Sequence, residues 1–172
     1  MARPLRIQFG DAYYHVTCRG NSGQETFSND ADREGFLDLL ERSSDFYQTE
    51  ILAYVLMSTH FHLLCKTPLG NLQEFMRHFN ISYTSYYNWK HSRRGHLYQG
   101  RYKSFLVDAD DYLQEVSRYI HLNPVRVGLR SGMGLDEKKK YLTSYRWSSY
   151  GDYISRDGRE DFVLFFFNAN IN

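Results

Sequence analysis

The sequence contains little proline, little cysteine and almost no net charge. Its 172 residues include 3 prolines and 2 cysteines, and 21 basic against 20 acidic side chains leave a formal charge of +1. Two cysteines cannot form a disulfide framework, and Cys18 and Cys65 lie in strand-like segments, which favours reduced core residues of a cytoplasmic protein. The longest apolar runs, 51–57 and 162–167, are far shorter than the roughly 20 residues of a membrane span. No leader typical of a signal peptide is apparent.

Charge is distributed unevenly along the chain, although the total is close to zero. The stretch from Phe75 to Val107 has six basic residues, nine aromatic residues and no acidic residue. An acidic segment from Asp30 to Glu50 offsets it. A basic region attracts polyanions through its local field, so this stretch predicts contact with nucleic acid. The alternative is a solvated face above aromatic side chains of the core.

Sequence periodicity predicts an α+β fold with the element order β-α-β-β-α-β. This is the ferredoxin-like pattern, an antiparallel sheet with two helices on one face. The predicted strands are 12–19, 50–57, 60–66 and 97–107, and the two helices begin near Asn29 and Asn71. A third helix, from Asp108 to about Leu122, must pack against an edge or the open face of the sheet, and Pro124 disfavours its continuation.

The chain is predicted to divide near residue 130. Residues 1–130 are expected to form the main domain, and residues 131–172 a C-terminal extension packed on it. Glycines and lysines in 131–140 are typical of a linker. The apolar run 162–167 is expected to dock, because it would promote aggregation if exposed.

Two histidines, His60 and His62, lie two residues apart on the third predicted strand. Side chains alternate along a strand, so both imidazoles point to one face and Phe61 points to the core. Two imidazoles on one strand can chelate a divalent cation when other elements supply further ligands. The alternative is chance, because an HxH triplet arises easily in a chain with 7 histidines.

The third helix offers two candidate partners for the histidines, Tyr119 and Asn123. Spaced by four residues, they lie on one helical face. The asparagine has an amide oxygen suited to a divalent cation, and the tyrosine places a hydroxyl one turn away. The alternative is an ordinary amphipathic tyrosine and an asparagine that caps the helix before Pro124. Spacing alone does not distinguish Tyr119 among 15 tyrosines.

Several ordered motifs add to this pattern. RPLRI at 3–7 and YYHVTCRGN at 13–21 precede HFH at 60–62, GHLYQGRYK at 95–103 and RYIHLNPVR at 118–126. In this order the motifs resemble the REP-associated tyrosine transposases, within the single-tyrosine branch of the HUH endonuclease superfamily. The resemblance covers about residues 3–128. Ser58 and Thr59 replace a commoner Pro-Asn pair, which affects the turn before the histidines and not the histidines themselves.

The resemblance implies a role for each candidate residue. His60 and His62 match the metal ligands, Tyr119 matches the nucleophile and Asn123 matches the third ligand. It implies cleavage and rejoining of single-stranded DNA beside a hairpin through a 5′-phosphotyrosine intermediate, with Mg²⁺ or Mn²⁺ as the metal. We expect a monomer or homodimer in the cytoplasm, associated with the nucleoid and not with a membrane.

Contacts to DNA phosphates are predicted from the distribution of basic residues. The predicted residues are Arg93, Arg94, Arg101 and Lys103, with Arg3 and Arg6 as an arm. The other histidines, His15, His78, His91 and His96, are predicted to be structural or surface residues, and His121 to point away from Tyr119. Two other functions stay open: a non-catalytic hairpin-binding protein, and a two-histidine metal nuclease without a covalent step.

Overall fold

A four-stranded antiparallel sheet organises the fold, which the computed structural model describes over residues 8–108, 111–126 and 128–157. The strands are β1 (Ala12–Arg19), β2 (Glu50–Met57), β3 (His60–Thr67) and β4 (Lys103–Val107), in the spatial order β2-β3-β1-β4. The helices are α1 (Asp30–Tyr47), α2 (Leu72–Lys90), α3 (Asp111–Arg126), α4 (Leu135–Ser144) and α5 (Tyr150–Asp157). The predicted α+β, ferredoxin-like arrangement is therefore confirmed.

The main core lies between the sheet and helices α1 and α2. Phe36 is fully buried at its centre, and its ring meets those of Phe27, Phe61, Phe79 and Tyr83 at centroid distances of 4.8–5.2 Å. These edge-to-face contacts are a favourable packing geometry for aromatic rings. Much of the aromatic content of the sequence therefore packs this core.

Helix α3 packs on the opposite face of the sheet. Ile120 is fully buried there, in a smaller cluster with Val55, Leu64 and Val107. Beyond this cluster the same face continues as a polar surface that we call the histidine face. Strand register and side-chain alternation place seven residues on it: His15, Thr17, Arg19, His60, His62, Lys103 and Phe105.

The end of α3 differs from the prediction. The helix continues through Pro124 to Arg126, although a proline inside a helix removes one backbone hydrogen bond. Leu122 and Val125 are buried against Leu142 of α4 in a third apolar cluster. This packing stabilises the last turn and outweighs the local preference of the proline.

Strand β4 begins six residues later than predicted. Residues 97–102 form a loop across the end of β1, in which Gly100 has a positive φ of 74° that few other residues adopt. Leu97 and Tyr102 are buried in the main core. Their burial accounts for the apolar pattern that suggested a longer strand.

The predicted linker 131–140 is also largely helical. A short 3₁₀ helix covers Gly128–Gly132 and α4 follows. The Glu137 carboxylate accepts a hydrogen bond from the Gly134 backbone N–H at 3.0 Å, which caps the start of α4. The division of the chain at residue 130 stays a prediction, and the apolar run 162–167 lies outside the described residues.

The segment between α4 and α5 lies along the edge strand β2. The Leu56 N–H donates to the Trp147 carbonyl at 2.8 Å, and the Ser149 N–H donates to the Tyr54 carbonyl at 3.1 Å. These bonds satisfy backbone groups that an edge strand otherwise leaves exposed.

Asp32 joins the start of α1 to the end of α2. Its fully buried carboxylate accepts hydrogen bonds from the backbone of Ser28 and Asn29 and lies 2.8 Å from both Lys90 Nζ and His91 Nε2. Burial alone raises the pKa of Asp32, but these hydrogen bonds outweigh it and lower the pKa below its ordinary 3.8.

We expect Asp32→Asn to lower the free energy of unfolding by about 1.5–3 kcal/mol at pH 7, measured by urea denaturation.

The lowered pKa of Asp32 determines how the loss of stability in Asp32→Asn depends on pH. A carboxylate with a lowered pKa stabilises the folded state above 3.8 and loses that contribution as the pH falls through its folded pKa. The difference in free energy of unfolding between the native and Asp32→Asn proteins should therefore become smaller in acid. Asp30→Asn, at an exposed acid in the same helical turn, is the matched control and should change stability little.

Candidate active site

The two histidines of the HFH motif lie side by side on β3. Their ring centroids are 5.2 Å apart, while Phe61 between them is fully buried in the main core. The predicted alternation of these side chains is confirmed. His60 is half-buried and His62 is buried, with 7% of its surface exposed.

Each histidine contacts a neighbour through its Nδ1 atom. His62 Nδ1 lies 2.9 Å from His15 Nε2, and His60 Nδ1 lies 3.1 Å from Thr59 Oγ1. When the Nδ1–H groups donate in these two bonds, the Nε2 atoms keep their lone pairs. Metal-binding histidines in proteins are commonly oriented in this way by a second hydrogen bond.

The surroundings keep the imidazoles neutral. Burial, followed by the neighbouring His15 and His60, lowers the pKa of His62 to about 3. Burial and the positive charge of Arg19 lower the pKa of His60, and burial lowers that of His15. Neutral imidazole is the form that binds a metal, so the pair is in that form at neutral pH.

Helix α3 places Tyr119 over the histidines. The Tyr119 ring lies 5.7 Å from the rings of both His62 and His15 and is 40% exposed. Asn123 is buried one turn later, and its Nδ2 donates to the Tyr119 carbonyl at 2.8 Å. The Arg126 guanidinium lies 5.1 Å from the Tyr119 ring. The predicted tyrosine and histidines are therefore brought together, with the asparagine beside the tyrosine.

His121 faces the other side of α3. It is fully buried, and its Nε2 lies 2.7 Å from Ser149 Oγ. Its ring packs against those of Tyr150 and Tyr153, and burial lowers its pKa to about 4. As predicted, it points away from Tyr119.

The predicted phosphate-contact residues occupy different environments. Arg94 and Arg101 are exposed in loops, and Lys103 is exposed on the histidine face opposite Thr17. Arg93 is half-buried, donates to Gln24 at 2.9 Å and lies over the Tyr87 ring. Arg3 and Arg6 lie outside the described residues.

His15 and Arg19 are among the members of the histidine face that sequence reasoning missed. His15 is predicted from the sequence to be a structural or surface residue, yet it contacts both His62 and Tyr119. Arg19 is exposed and lies directly opposite His60 in the register of β1 and β3. Both alternate with the buried Val16 and Cys18, so the period of two along β1 indicates that they lie together on one face of that strand.

A separate cleft lies away from these residues. It has a volume of about 690 Å³ between α1, β2 and α5, and Leu40, Ile51 and Tyr153 contribute to its walls. None of the predicted site residues within the described ranges lines it. Within the described ranges, no group of three or more histidine, cysteine, aspartate or glutamate side chains is arranged to hold a metal ion.

Comparison with known proteins decides the family. The sequence profile described as "Transposase IS200 like" matches residues 8–123 of the chain. This chain belongs to the IS200-like transposase family. The matched region includes the histidines on β3 together with Tyr119 and Asn123 on α3. Sequence resemblance to REP-associated tyrosine transposases had indicated the same group, and that indication is confirmed.

A solved structure with a similar fold supports the architecture described for the transposase. A REP-associated tyrosine transposase bound to a REP hairpin superposes with a TM-score of 0.73 and 14% identity, covering 100% of this chain and 94% of that one. A putative transposase from Deinococcus radiodurans gives 0.48 and 16% identity, covering 70% and 94%. The tRNA(His) guanylyltransferase from Saccharomyces cerevisiae gives 0.49 and 11%, covering 84% and 76%. The last two are too distant to bear on function.

Two further findings complete the comparison. Matching against curated protein sequences finds no relative of the transposase. In the described part of the chain, no helix combines the length and apolar character that crossing a membrane requires.

Proposed function

We propose that this transposase cleaves and rejoins single-stranded DNA beside a hairpin, with Tyr119 as the nucleophile and a divalent metal as cofactor. The observation that carries the proposal is the approach of the Tyr119 ring to within 5.7 Å of the His62 ring on an accessible face of the sheet. The solved relative with the same fold is described as bound to a REP hairpin, which supports hairpin DNA as the partner.

The proposed reaction conserves the number of phosphate ester bonds. The Tyr119 hydroxyl oxygen attacks the scissile phosphorus, and the bond from phosphorus to the 3′ oxygen breaks. The tyrosine proton passes to solvent and the leaving oxygen takes up a proton, which gives a 3′-hydroxyl and a 5′-phosphotyrosine. Attack by another 3′-hydroxyl reverses these steps, so rejoining needs no nucleotide cofactor.

The residues present fit a divalent metal. Two neutral imidazoles with their Nδ1 atoms engaged would offer two Nε2 ligands, and the Asn123 amide oxygen on the adjoining helix would be the third. Oxygen donors favour Mg²⁺ or Mn²⁺, and the imidazoles favour the softer Mn²⁺ of the two. When bound, the ion polarises the scissile phosphate and offsets its charge.

Residues on and beside the histidine face orient the reacting groups. His15 holds the His62 ring through the 2.9 Å contact at Nδ1. Arg19 and Lys103 are exposed cations on the same face and are suited to phosphates on either side of the cleaved bond. Arg126, over the Tyr119 ring, adds positive charge beside the phosphate under attack.

The proposal is tested by trapping the covalent intermediate. The full-length protein is incubated with a pool of single-stranded oligonucleotides that carry a stem-loop and randomised flanks, with Mn²⁺ or Mg²⁺. We expect a denaturation-resistant adduct that retains a label at the DNA 3′ end, while a 5′ label leaves on a free fragment with a 3′-hydroxyl. Removing the metal with EDTA should abolish the adduct, and restoring Mn²⁺ should recover it.

The other two functions give different results in the same assay. A non-catalytic hairpin-binding protein retards the oligonucleotides but cuts none of them with any metal. A two-histidine nuclease without a covalent step cuts the DNA and leaves no label on the protein. Either result contradicts the proposed tyrosine chemistry.

A further inference from the structure

An exposed phenylalanine lies at the edge of the histidine face. Phe105 is 55% exposed on β4, directly opposite His15 in the register of the sheet. Its ring centroid lies 5.9 Å from that of His15, which in turn stacks on His62 at 5.1 Å. An aromatic surface thus runs from the strand edge to the histidine pair and ends below Tyr119.

Basic side chains accompany this aromatic surface. Lys103 is two residues before Phe105, so it projects from the same face of β4, about 7 Å away along the strand. Arg19 is exposed on the same face at the far end of β1. An apolar ring beside cations matches the chemistry of single-stranded nucleic acid, in which unpaired bases stack on aromatic rings and phosphates pair with basic groups.

We propose that Phe105 is the stacking platform for the unpaired base next to the phosphate that Tyr119 attacks. This inference rests on the proposed function and adds a base-binding position to it. The His15 ring lies between this platform and Tyr119, because it contacts both Phe105 and Tyr119. A nucleotide stacked there brings its phosphate toward the histidine pair without any sequence-specific hydrogen bond.

The test combines a protein change with a DNA change. The full-length protein binds a single-stranded hairpin oligonucleotide in which one flanking position at a time is abasic. Loss of stacking is worth roughly 1–3 kcal/mol per base, so Phe105→Ala should weaken binding about 5- to 150-fold. One abasic position should weaken binding of the native protein by a similar factor and should cause no further loss in Phe105→Ala. Phe105→Trp should retain binding.

The neighbouring Leu106 supplies the matched control. It is 52% exposed on the same strand but is paired with Tyr14, on the opposite face. Leu106→Ala removes a similar apolar area and should leave DNA affinity and the abasic profile unchanged. Because both residues are exposed, both variants should keep the native melting temperature.

Three results would overturn the platform. In the first, the loss of DNA affinity at an abasic position adds fully to the loss in Phe105→Ala at every position. In the second, Phe105→Ala binds the DNA as tightly as the native protein. In the third, the only effect of Phe105→Ala is a change of oligomeric state. Each of these is compatible with normal adduct formation by the native protein. Conversely, non-additive binding without any covalent adduct supports the platform and contradicts the tyrosine chemistry.

Discussion

Replacing Tyr119 with phenylalanine should lower formation of the protein–DNA adduct on the order of 10⁴-fold or more, the scale seen when a nucleophile is removed from a catalytic site. The change deletes one oxygen atom and keeps the ring. Binding of the hairpin oligonucleotide should change little, because the ring remains next to His15 and His62. Gel shift and denaturing electrophoresis of the same samples separate the two effects.

Tyr112→Phe is the control for this experiment. Tyr112 is 63% exposed and lies two turns earlier on the same side of α3. It should form the adduct at the native rate. An adduct that persists in Tyr119→Phe would show that the nucleophile is another residue, even if the reaction class is right.

Replacing His62 with alanine should produce the second largest effect, a loss of cleavage on the order of 10²-fold or more, because several kcal/mol of charge stabilisation depend on the metal. His62 is the most buried of the three face histidines and is held by His15. The concentration of Mn²⁺ that gives half-maximal cleavage should rise at the same time. This shift separates a metal ligand from a residue that only packs the site.

His96→Ala is the matched control, because His96 is exposed in the loop before β4. It should leave both the rate and the Mn²⁺ requirement unchanged.

His15→Gln and His15→Leu extend the comparison within the same experiment. Gln keeps an acceptor toward His62 Nδ1 and should need less Mn²⁺ than Leu. Equal Mn²⁺ requirements in native and His62→Ala proteins would contradict a metal on this histidine.

Local patterns in the sequence predicted much of the fold. The alternation in β1 and β3 and the apolar stripes of α1 and α2 are local signals, and they gave the sheet and its covering helices. The course of residues 97–102 and the end of α3 depend on contacts with distant parts of the chain. Leu97 is buried in the main core, and Val125 is buried against Leu142. Periodicity within one segment does not report such contacts.

The site was predicted unevenly for a similar reason. His60 and His62 carry their own signal in the HFH spacing, whereas the choice of Tyr119 needed the family resemblance. His15 has no nearby partner in sequence, since it meets His62 only through the pairing of β1 with β3, 47 residues apart. Arg19 joins the face through the same pairing. Strand register, which a single sequence does not supply, was the missing information.

The sheet separates two apolar clusters of unequal size, and this has a consequence for cooperativity. The histidines belong to strands stabilised by the large aromatic cluster around Phe36, whereas Tyr119 depends on α3 and the smaller cluster around Ile120. Segments with fewer buried contacts open in partial unfolding events that cost less free energy than global unfolding. Partial opening of α3 would therefore separate Tyr119 from the histidines while the sheet and its two covering helices stay folded.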